Sequence, residues 1–387
     1  MEKLKVGLFI DTWYPMVDGV IMVVDNYAKR LSKFCDVTVF TVSARGEDKT
    51  EHPYKVVKCK KMPLRPLDYD LPLPKFDKNF KKQLNESNLD IVHIHSPFSV
   101  GKMGVKYAKK HNIPCVATMH SQYKQDFYKS SHSKIITNIL LKKIMKVFNN
   151  CDEYYAVNQN ISKIFYEYGA KHRPLVQRNG TDLTFDNDKE RLNNLINEKY
   201  SLTKDEKVFL FLGRIISLKN VFFILDSLKI LKDSGFKFKM FYVGSGPDSD
   251  KLQDKIKQYD MENQVILTGK IMDRELIKAF YSRADLFLFP SLYDASSLVQ
   301  IEAASQETPS LFIKGAPTAG TITAQVNGYL SENNVNAYAS KIQEIFSDEE
   351  KYKQVSLNAR RDLHITWDDC VKEMYEKYLF NIQKKKQ

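Results

Sequence analysis

Short apolar runs alternate with helical patterns along the first half of the chain. The runs predict buried strands, and apolar positions that recur every three to four residues predict helices. The predicted strands are 5–10, 35–42, 90–95, 114–120, 154–157 and 175–177, and the clearest helices are 21–34 and 101–110. Strands that alternate with helices indicate a parallel sheet with helices on both faces.

The second half repeats this alternation. Strands are predicted at 207–212, 237–243, 265–268, 286–290 and 310–313, and helices at 218–234 and 336–346. The predicted fold class is therefore α/β with two doubly wound domains. A polar stretch at 182–204 marks their boundary, and we place the domains at residues 1–185 and 186–367. A last helix, predicted at 368–378 within the segment 368–387, is expected to cross back to the first domain.

The turn after the strand at 286–290 carries the most informative pattern. A helix is predicted at 298–304, and the turn holds three residues that suit a helix cap, namely Asp294, Ser296 and Ser297. A helix that begins just after a strand presents N–H groups to an anion. Asp294 and Glu302 bracket this helix start, so the turn is expected to bind a phosphorylated, hydroxyl-rich ligand. The alternative is that Asp294 only caps the helix and Glu302 only lies on a solvated face.

Other candidate residues also follow predicted strands. In open parallel sheets, ligands bind beyond the carboxyl ends of the strands. The candidates in such loops are Gly19, His120, Arg214, Lys219, Gly244 and the turn at 294–302. Two facing sheets would place all these loops around one cleft between the domains. The alternatives are that Arg214 is an ordinary cap or ion-pair partner, and that His120 is a loop histidine whose hydrogen bonds are satisfied within the protein.

Two more histidines, His93 and His95, stand two residues apart in a predicted strand and therefore point to the same face. His95 lies nearer the carboxyl end of the strand and could face the cleft. His93 is expected to be a satisfied core histidine, and we assign chemistry to neither residue.

The net charge of +12 lies almost entirely in the first half of the chain. Residues 1–200 hold 33 Lys and Arg against 22 Asp and Glu, and residues 101–150 hold ten lysines and a single acid, Asp126. This asymmetry favours an anionic partner such as a membrane surface, although lysines on solvated faces are the alternative. A nucleic-acid partner is not expected, because the basic half lacks a helix-turn-helix, a zinc pattern and an aromatic-rich strand.

Residues 131–148 form a basic amphipathic pattern within this half. Apolar side chains recur at three to four residues, at Ile135, Ile136, Ile139, Leu140, Ile144 and Phe148, and lysines lie among them. Such a helix can lie on an anionic membrane, or it can pack its apolar face on the sheet. A second group of basic residues could attract the same domain to an anionic membrane surface. Its members are Lys58, Lys60, Lys61 and Arg65.

Composition excludes several classes of protein. The chain has no run of about 18 uncharged apolar residues, so no membrane span is predicted. The apolar run at 6–10 is too short for a signal peptide. Five scattered cysteines without a C-x-x-C pair favour reduced thiols in the cytoplasm and argue against a structural zinc site. D-x-D matches such as those at 68–70 and 248–250 are expected by chance among 47 acidic residues.

The order and spacing of eight motifs resemble the GT-B glycosyltransferases, specifically the large retaining family numbered four. The motifs are Asp-Gly at 18–19, IVHIHSPF at 91–98, TMH at 118–120, RNGTD at 178–182, LGR at 212–214 with Lys219, VGSGP at 243–247, LTGK at 267–270, and the carboxylates Asp294 and Glu302. The resemblance covers essentially the whole chain. It implies two facing Rossmann-like domains and a nucleotide sugar, UDP-linked, as the donor.

The resemblance also implies residue roles. Arg214 and Lys219 would clamp the donor diphosphate, with Gly19 and the N–H groups near Ser297 and Leu298 beside it. Glu302 would accept hydrogen bonds from the ribose. Asp294 and His120 would contact the transferred sugar. The other donor-binding positions are Gly244, Ser296 and, at the base, Ile271.

The implied activity is retaining transfer of a hexose or N-acetylhexosamine to a membrane lipid or cell-envelope glycan. No cofactor or metal is expected, because two cations can neutralise the diphosphate. The expected location is cytoplasmic and peripheral on the inner face of the plasma membrane. Asp294 stands where the family usually has Glu, and Ser297 where it often has Gly, so no sugar identity is carried over. The alternative function is a non-catalytic basic binding protein built on a degenerate glycosyltransferase fold.

Overall fold

Two units make up the chain in this computed structural model, which describes residues 2–16, 18–42, 46, 50–63, 70–203 and 205–387. The first unit combines Met1–Asn179 with Trp367–Gln387, and the second unit is Gly180–Thr366. The sequence analysis places the first boundary at 185/186, and the structure has it at 179/180. Arg65, Asp68 and Tyr69, which the sequence analysis named, lie outside the described residues.

The first unit is built around a parallel sheet. Its strands are β1 (Lys5–Phe9), β2 (Asp36–Val42), β3 (Lys55–Cys59), β6 (Ile91–Ile94), β7 (Cys115–Met119), β8 (Glu153–Ala156) and β9 (Leu175–Val176), with a small antiparallel pair, β4 (Lys61–Pro63) and β5 (Asp70–Pro72). Its helices are α1 (Gly19–Leu31), α2 (Lys78–Glu86), α3 (Ser99–His111), α4 (Tyr123–Ser131), α5 (Lys134–Phe148), α6 (Gln159–Glu167) and α14 (Trp367–Lys386), with a 3-10 turn at Pro74–Phe76. Among the described residues the strand order is β3-β2-β1-β6-β7-β8-β9.

The second unit repeats this design with a smaller sheet. Its strands are β10 (Lys207–Leu212), β11 (Phe238–Val243), β12 (Val265–Gly269), β13 (Leu286–Leu288), β14 (Ser310–Ile313) and β15 (Tyr329–Ser331). Its helices are α7 (Lys189–Tyr200), α8 (Val221–Asp233), α9 (Ser249–Gln258), α10 (Arg274–Arg283), α11 (Leu298–Ser305), α12 (Val335–Ile345) and α13 (Glu349–Leu363), with 3-10 turns at Ser217–Lys219 and Pro317–Thr321. In the described part of this unit the strand order is β12-β11-β10-β13-β14-β15.

These topologies confirm the predicted fold class of two parallel-sheet α/β domains. The central strands are buried on both faces, and Val208, Phe209, Leu210 and Phe211 of β10 are at most 1% exposed. Buried parallel strands read as continuous apolar runs, which is why the sequence predicts them. The short strands β3, β4, β5 and β15 were not predicted, because their residues are largely polar or too few to form such a run.

The predicted helix limits differ from the observed ones, and two of these differences are informative. The helix predicted at 218–234 begins only at Val221, because Asn220 takes a left-handed conformation with φ of +56° and ends the preceding 3-10 turn. The last helix runs to Lys386 and not to 378, and it packs against α1 of the first unit.

Each sheet has one point at which the strand order reverses. In the first unit this point lies between β1 and β6, and in the second unit between β10 and β13. Crossover helices leave in opposite directions there, so a crevice opens beyond the carboxyl ends of the two strands. Any ligand site is expected in the loops that follow these strands.

Candidate active site

The loops after β10 and β11 approach each other through two glycines. Gly213 and Gly244 have φ of +153° and +143°, and a Cβ built on Gly244 would lie 1.9 Å from the carbonyl oxygen of Gly213. The N–H of Gly213 donates to the carbonyl of Val243 at 3.0 Å. Only glycine permits this contact, which fixes the backbone that carries Arg214.

Arg214 is an exposed cation directly after this contact. Its guanidinium forms no ion pair or hydrogen bond with any residue that the structure describes. The alternative role of an ordinary ion-pair partner is therefore not observed. A guanidinium with all its donors unused, at the reversal point of a sheet, is suited to bind an anion.

Lys219 lies in the 3-10 turn Ser217–Lys219, and its ammonium pairs with Asp294. The Nζ atom is 2.8 and 2.9 Å from the two carboxylate oxygens, and it also lies 5.1 Å from the centre of the Phe289 ring. A Cβ built on Gly213 would be 3.7 Å from Cδ of Lys219, so the lysine stem passes beside the loop that carries Arg214. The two cations predicted to clamp a diphosphate thus belong to one surface of the second unit.

Asp294 belongs to this cluster and is not the helix cap. Its Oδ2 accepts a hydrogen bond from the hydroxyl of Ser291 at 2.6 Å. The cap of α11 is Ser297, whose side chain accepts from the N–H of Gln300 at 3.2 Å. Leu298 is the first residue of the helix, and Ser296 precedes the cap. The first N–H groups of α11 must find acceptors outside the helix.

Glu302 lies on α11 with its carboxylate largely covered. The hydroxyl of Tyr281 donates to its Oε2 at 2.9 Å, and Arg274 reaches its Oε1 at 3.0 Å. The side chain of Glu302 is only 13% exposed, so the alternative of a solvated face is wrong. Within the described residues, no hydrogen bond joins Glu302 to the Lys219–Asp294 pair. Glu302 is therefore a second carboxylate, separate from the Lys219–Asp294 pair and held in place by Tyr281 and Arg274.

Ile271 follows β12, two residues beyond Gly269. It is half-buried and packs against the core of the second unit. Its backbone stands at the same carboxyl edge of the sheet as the loops that follow β10 and β11. The sequence prediction that this backbone meets a nucleotide base remains a prediction.

In the first unit, Gly19 is the first residue of α1, and Asp18 caps the helix by accepting from the N–H of Ile21 at 2.8 Å. Burial raises the pKa of Asp18. Apart from its chain neighbours and its own helix backbone, a Cβ built on Gly19 would meet no atom of the described residues within 4 Å. The fold itself therefore does not require glycine here, and the open space leaves room for a ligand to approach the helix start.

His120 follows β7 and is buried, with 8% of its surface exposed. Its Nε2 lies 3.0 Å from Nδ1 of His95, and the two rings stack with centres 5.3 Å apart. Burial lowers the pKa of His120 to about 3, and burial also lowers the pKa of His95 well below its usual value. Both imidazoles are therefore neutral at physiological pH, so His120 can exchange hydrogen bonds but is not a cation.

His93 is satisfied within the core, as the sequence analysis expects. One ring nitrogen lies 2.6 Å from the hydroxyl of Tyr378 on α14, and the other lies 2.8 Å from the hydroxyl of Thr118. His95 differs, because its Nε2 is buried and has no hydrogen-bond partner among the described residues. The sequence pattern assigns no role to His95, yet His95 is the direct partner of His120. Its position at the end of β6, beside the reversal point, was the signal that could have identified it.

Asp11 is a second residue at this reversal point that the sequence analysis did not select. It is 7% exposed, accepts from the hydroxyl of Ser96 at 2.6 Å and from the N–H of Val100 at 2.7 Å, and burial raises its pKa. These bonds tie the ends of β1 and β6 to the start of α3. We interpret Asp11 as structural, because the bonded groups belong to the protein.

A cavity of about 400 Å³ in the second unit lies elsewhere. Its lining includes Asp285 and Thr308, which precede β13 and β14, so it opens at the amino edge of the sheet. The site residues stand at the carboxyl edge. In the described part of the chain, no cluster of three or more His, Cys, Asp or Glu side chains is arranged for a metal, and no helix is long and apolar enough to cross a membrane.

Comparison with known proteins identifies the family. The model described as Glycosyltransferase Family 4 matches residues 17–185, and the model described as Glycosyl transferases group 1 matches residues 193–362. Together with the two parallel-sheet domains, these matches show that the chain belongs to the family-four glycosyltransferases with the GT-B fold.

Individual relatives are distant. An alpha-monoglucosyldiacylglycerol synthase from Streptococcus pneumoniae is 25% identical over 319 residues, which cover 79% of this chain and 70% of that protein. The protein of the same name from Acholeplasma laidlawii is 24% identical over 327 residues, 79% of each chain. The crystal structure of Anabaena HepE in complex with UDP and glucose superposes with a TM-score of 0.74 at 17% identity, covering 97% of this chain and 99% of that one. This structural likeness confirms the fold.

Proposed function

We propose that this chain is a retaining glycosyltransferase that moves a hexose or N-acetylhexosamine from a UDP-linked sugar to a membrane lipid or cell-envelope glycan. The observation that carries the proposal is the cluster at the reversal point of the second sheet. There Arg214 carries an unpaired guanidinium, Lys219 pairs with Asp294, and α11 begins shortly after Asp294 and carries Glu302. The names of the two glycolipid synthases support a lipid acceptor.

The cations bind the donor diphosphate in this proposal. Charge-assisted hydrogen bonds from Arg214 and Lys219 contribute about 1.5–3 kcal/mol each, and their effect grows as negative charge develops on the leaving group. Two positive charges offset the diphosphate, so the reaction is proposed to need no metal or other cofactor. Glu302 accepts hydrogen bonds from the ribose, and the backbone at Ile271 meets the base.

The proposed contacts of the transferred sugar are Asp294 and His120. Asp294 accepts hydrogen bonds from sugar hydroxyls, and neutral His120 bonds to the same sugar. The bond between the anomeric carbon and the phosphate oxygen breaks, and the bond from that carbon to the acceptor oxygen forms on the same face. The acceptor's proton passes to the departing phosphate oxygen, so no separate general base is required. Attack on the face that the phosphate leaves retains the anomeric configuration.

The proposed location is the cytoplasmic face of the plasma membrane, where UDP-sugars and lipid acceptors meet. The excess of cations in residues 1–200 supports attraction to anionic lipids. None of the five cysteines is in a disulfide in the structure, which suits a reducing compartment.

The test is release of UDP from UDP-glucose, UDP-galactose and UDP-N-acetylglucosamine, measured with a membrane extract as the source of acceptor. The variants Arg214→Ala, Lys219→Ala and Glu302→Ala should each lower release at least about tenfold. Lys251→Ala, an exposed lysine on α9 of the same unit, is the matched control and should retain activity. Release should persist in EDTA, and NMR of the product should show the anomeric configuration of the donor.

Failure to bind or use any nucleotide sugar would overturn the proposal. It would favour the alternative, a non-catalytic basic binding protein on the same fold. Inversion at the anomeric carbon would refute only the retaining mechanism.

A further inference from the structure

Helix α5 is only partly buried against the rest of the first unit. Its inward face is buried through Thr137, Leu141, Ile144, Met145 and Phe148. Ile135, Ile136 and Ile139 lie near its start and remain 73%, 47% and 48% exposed. From the sequence, the apolar residues of α5 could either pack on the sheet or lie on a membrane. In the structure they fall into two sets, one on the buried face and one on the exposed face.

The outward face of α5 is divided along its length. Ile135, Ile139, Lys142 and Lys146 stand at spacings of four, three and four residues, which places them on one side of the helix. Ile136 and Lys143 lie beside this row and are also exposed. We call these six residues the docking face: three isoleucines toward the amino end of α5 and three lysines toward its carboxyl end.

The lysines of the docking face are available to a partner. None of Lys142, Lys143 and Lys146 forms an ion pair with any residue that the structure describes. Helix α4 packs against α5 and adds two exposed cations, Lys124 and Lys129. Single exposed apolar residues are ordinary, but three isoleucines within five positions beside a row of unpaired cations form a patch that water solvates poorly.

We infer that the docking face inserts its isoleucines into the interface of an anionic lipid bilayer, with its lysines on the lipid phosphates. An interfacial helix of this kind has an apolar part that enters the headgroup boundary and cations that attract negative lipids. Charge decides against a second copy of the chain as the occupant. A two-fold contact through this face would bring the three lysines of each copy into one interface, and the docking face holds no acidic residue that could pair with them.

The inference extends the proposed function, because a face held on lipid brings the enzyme to a lipid acceptor. The inference differs from a general attraction between basic residues and anionic lipids, because it requires the three isoleucines as well as the charge. Binding to vesicles can be measured without any donor sugar, so the inference and the proposed function can fail separately.

The experiment is flotation of the full chain with vesicles of phosphatidylcholine alone or containing roughly 30% phosphatidylglycerol. The wild-type chain should bind the anionic vesicles and not the neutral ones, and added salt should weaken binding. The variant Ile135→Ser/Ile139→Ser and the variant Lys142→Gln/Lys143→Gln/Lys146→Gln should each lower the partition coefficient at least about tenfold.

Matched controls separate this face from general surface changes. Leu357→Ser removes a side chain that is 52% exposed on α13, and Lys372→Gln/Lys384→Gln/Lys386→Gln removes three exposed charges on α14. Both controls should bind vesicles like the wild-type chain. Because the changed side chains are exposed, all variants should show the thermal unfolding of the wild type and should release UDP from the donor at the same rate without vesicles.

Absence of wild-type binding to anionic vesicles would overturn the inference, and so would equal binding by the isoleucine variant. A dimer in sedimentation velocity that Ile135→Ser/Ile139→Ser dissociates, without vesicle binding, would instead assign the face to contact between copies. Vesicle binding by a chain that uses no nucleotide sugar would uphold the inference and defeat the proposed function.

Discussion

The ammonium of Lys219 lies 2.8 and 2.9 Å from the two carboxylate oxygens of Asp294. Two residues expected to contact different parts of a donor are thus partners of each other in this structure. The pair is partly covered, with side chains 17% and 21% exposed, so its charges are not fully screened by water. A donor diphosphate would take over part of the lysine's bonding and release the carboxylate toward the sugar.

This pairing predicts opposite effects of Asp294→Asn on binding and on transfer. UDP should bind about fivefold more tightly, because the variant frees Lys219 and removes a negative charge near the diphosphate, worth about 1 kcal/mol. Transfer should fall, because sugar hydroxyls lose their charged acceptor. Isothermal titration calorimetry with UDP and the transfer rate measure the two effects.

The control for this prediction is Asp233→Asn, which breaks a similar ion pair with Lys229 on the exposed side of α8. It should change neither UDP affinity nor transfer. Weaker UDP binding by Asp294→Asn would show that the carboxylate is needed to position the lysine.

The contacts of Glu302 predict a loss that is specific to the nucleoside. Glu302→Gln should lower UDP affinity about tenfold and leave pyrophosphate affinity unchanged, because only the ribose is proposed to bond this carboxylate. Tyr281→Phe removes the hydroxyl that orients Glu302 and should act in the same direction with a smaller effect. Competition binding with UDP and pyrophosphate distinguishes the two ligands.

Glu332→Gln is the matched control, since Glu332 forms an exposed ion pair with Lys314. Equal loss of UDP and pyrophosphate affinity in Glu302→Gln would contradict the assigned ribose contact and would indicate damage to the start of α11.

The contact between Gly244 and Gly213 predicts a large loss of stability when a single methyl group is added at Gly244. Gly244→Ala should lower the free energy of unfolding by about 3 kcal/mol, because the Cβ would collide with a backbone oxygen in a strained conformation. Gly235→Ala is the comparison: its φ is +77° and the space around it is open, so the cost should be about 1 kcal/mol. Differential scanning calorimetry measures both, and equal costs would show that the loop can move aside.

The buried histidines predict a dependence of stability on pH. The pKa of His120 falls to about 3 in the folded chain from an ordinary value of 6.5. Between these values the unfolded chain binds a proton that the folded chain does not, so the free energy of unfolding decreases as the pH falls from about 6.5 toward 3. His95 shifts in the same direction and adds to the decrease.

Urea unfolding at pH 7.0 and pH 5.0 tests this prediction. In His120→Gln the loss of stability between the two pH values should shrink by up to about 2 kcal/mol, since one titrating group is removed. If His120→Gln loses as much stability between pH 7.0 and pH 5.0 as the wild type, then His120 takes up its proton near the ordinary pKa in the folded chain.

Sequence patterns alone are enough to predict the two sheets and the loops that carry the site. Buried parallel strands are continuous apolar runs, and the residues just after them, such as Arg214 and His120, must stand at the carboxyl edge. Strand β10 was predicted with its observed limits, Lys207–Leu212, because its apolar run is long and central. Local patterns suffice for features of this kind, since they depend on neighbours along the chain.

Which of these residues contact each other depends on how the chain packs in three dimensions. Lys219 and Asp294 are 75 positions apart, and His95 and His120 are 25 apart, so strand order alone brings each pair together. The same holds for α5, where the spacing of isoleucines is equally compatible with burial and exposure. The packing of α5 against neighbours such as α4 buried Ile144 and Phe148 and left Ile135 in water, because a helix buries only the face and the length that its neighbours cover.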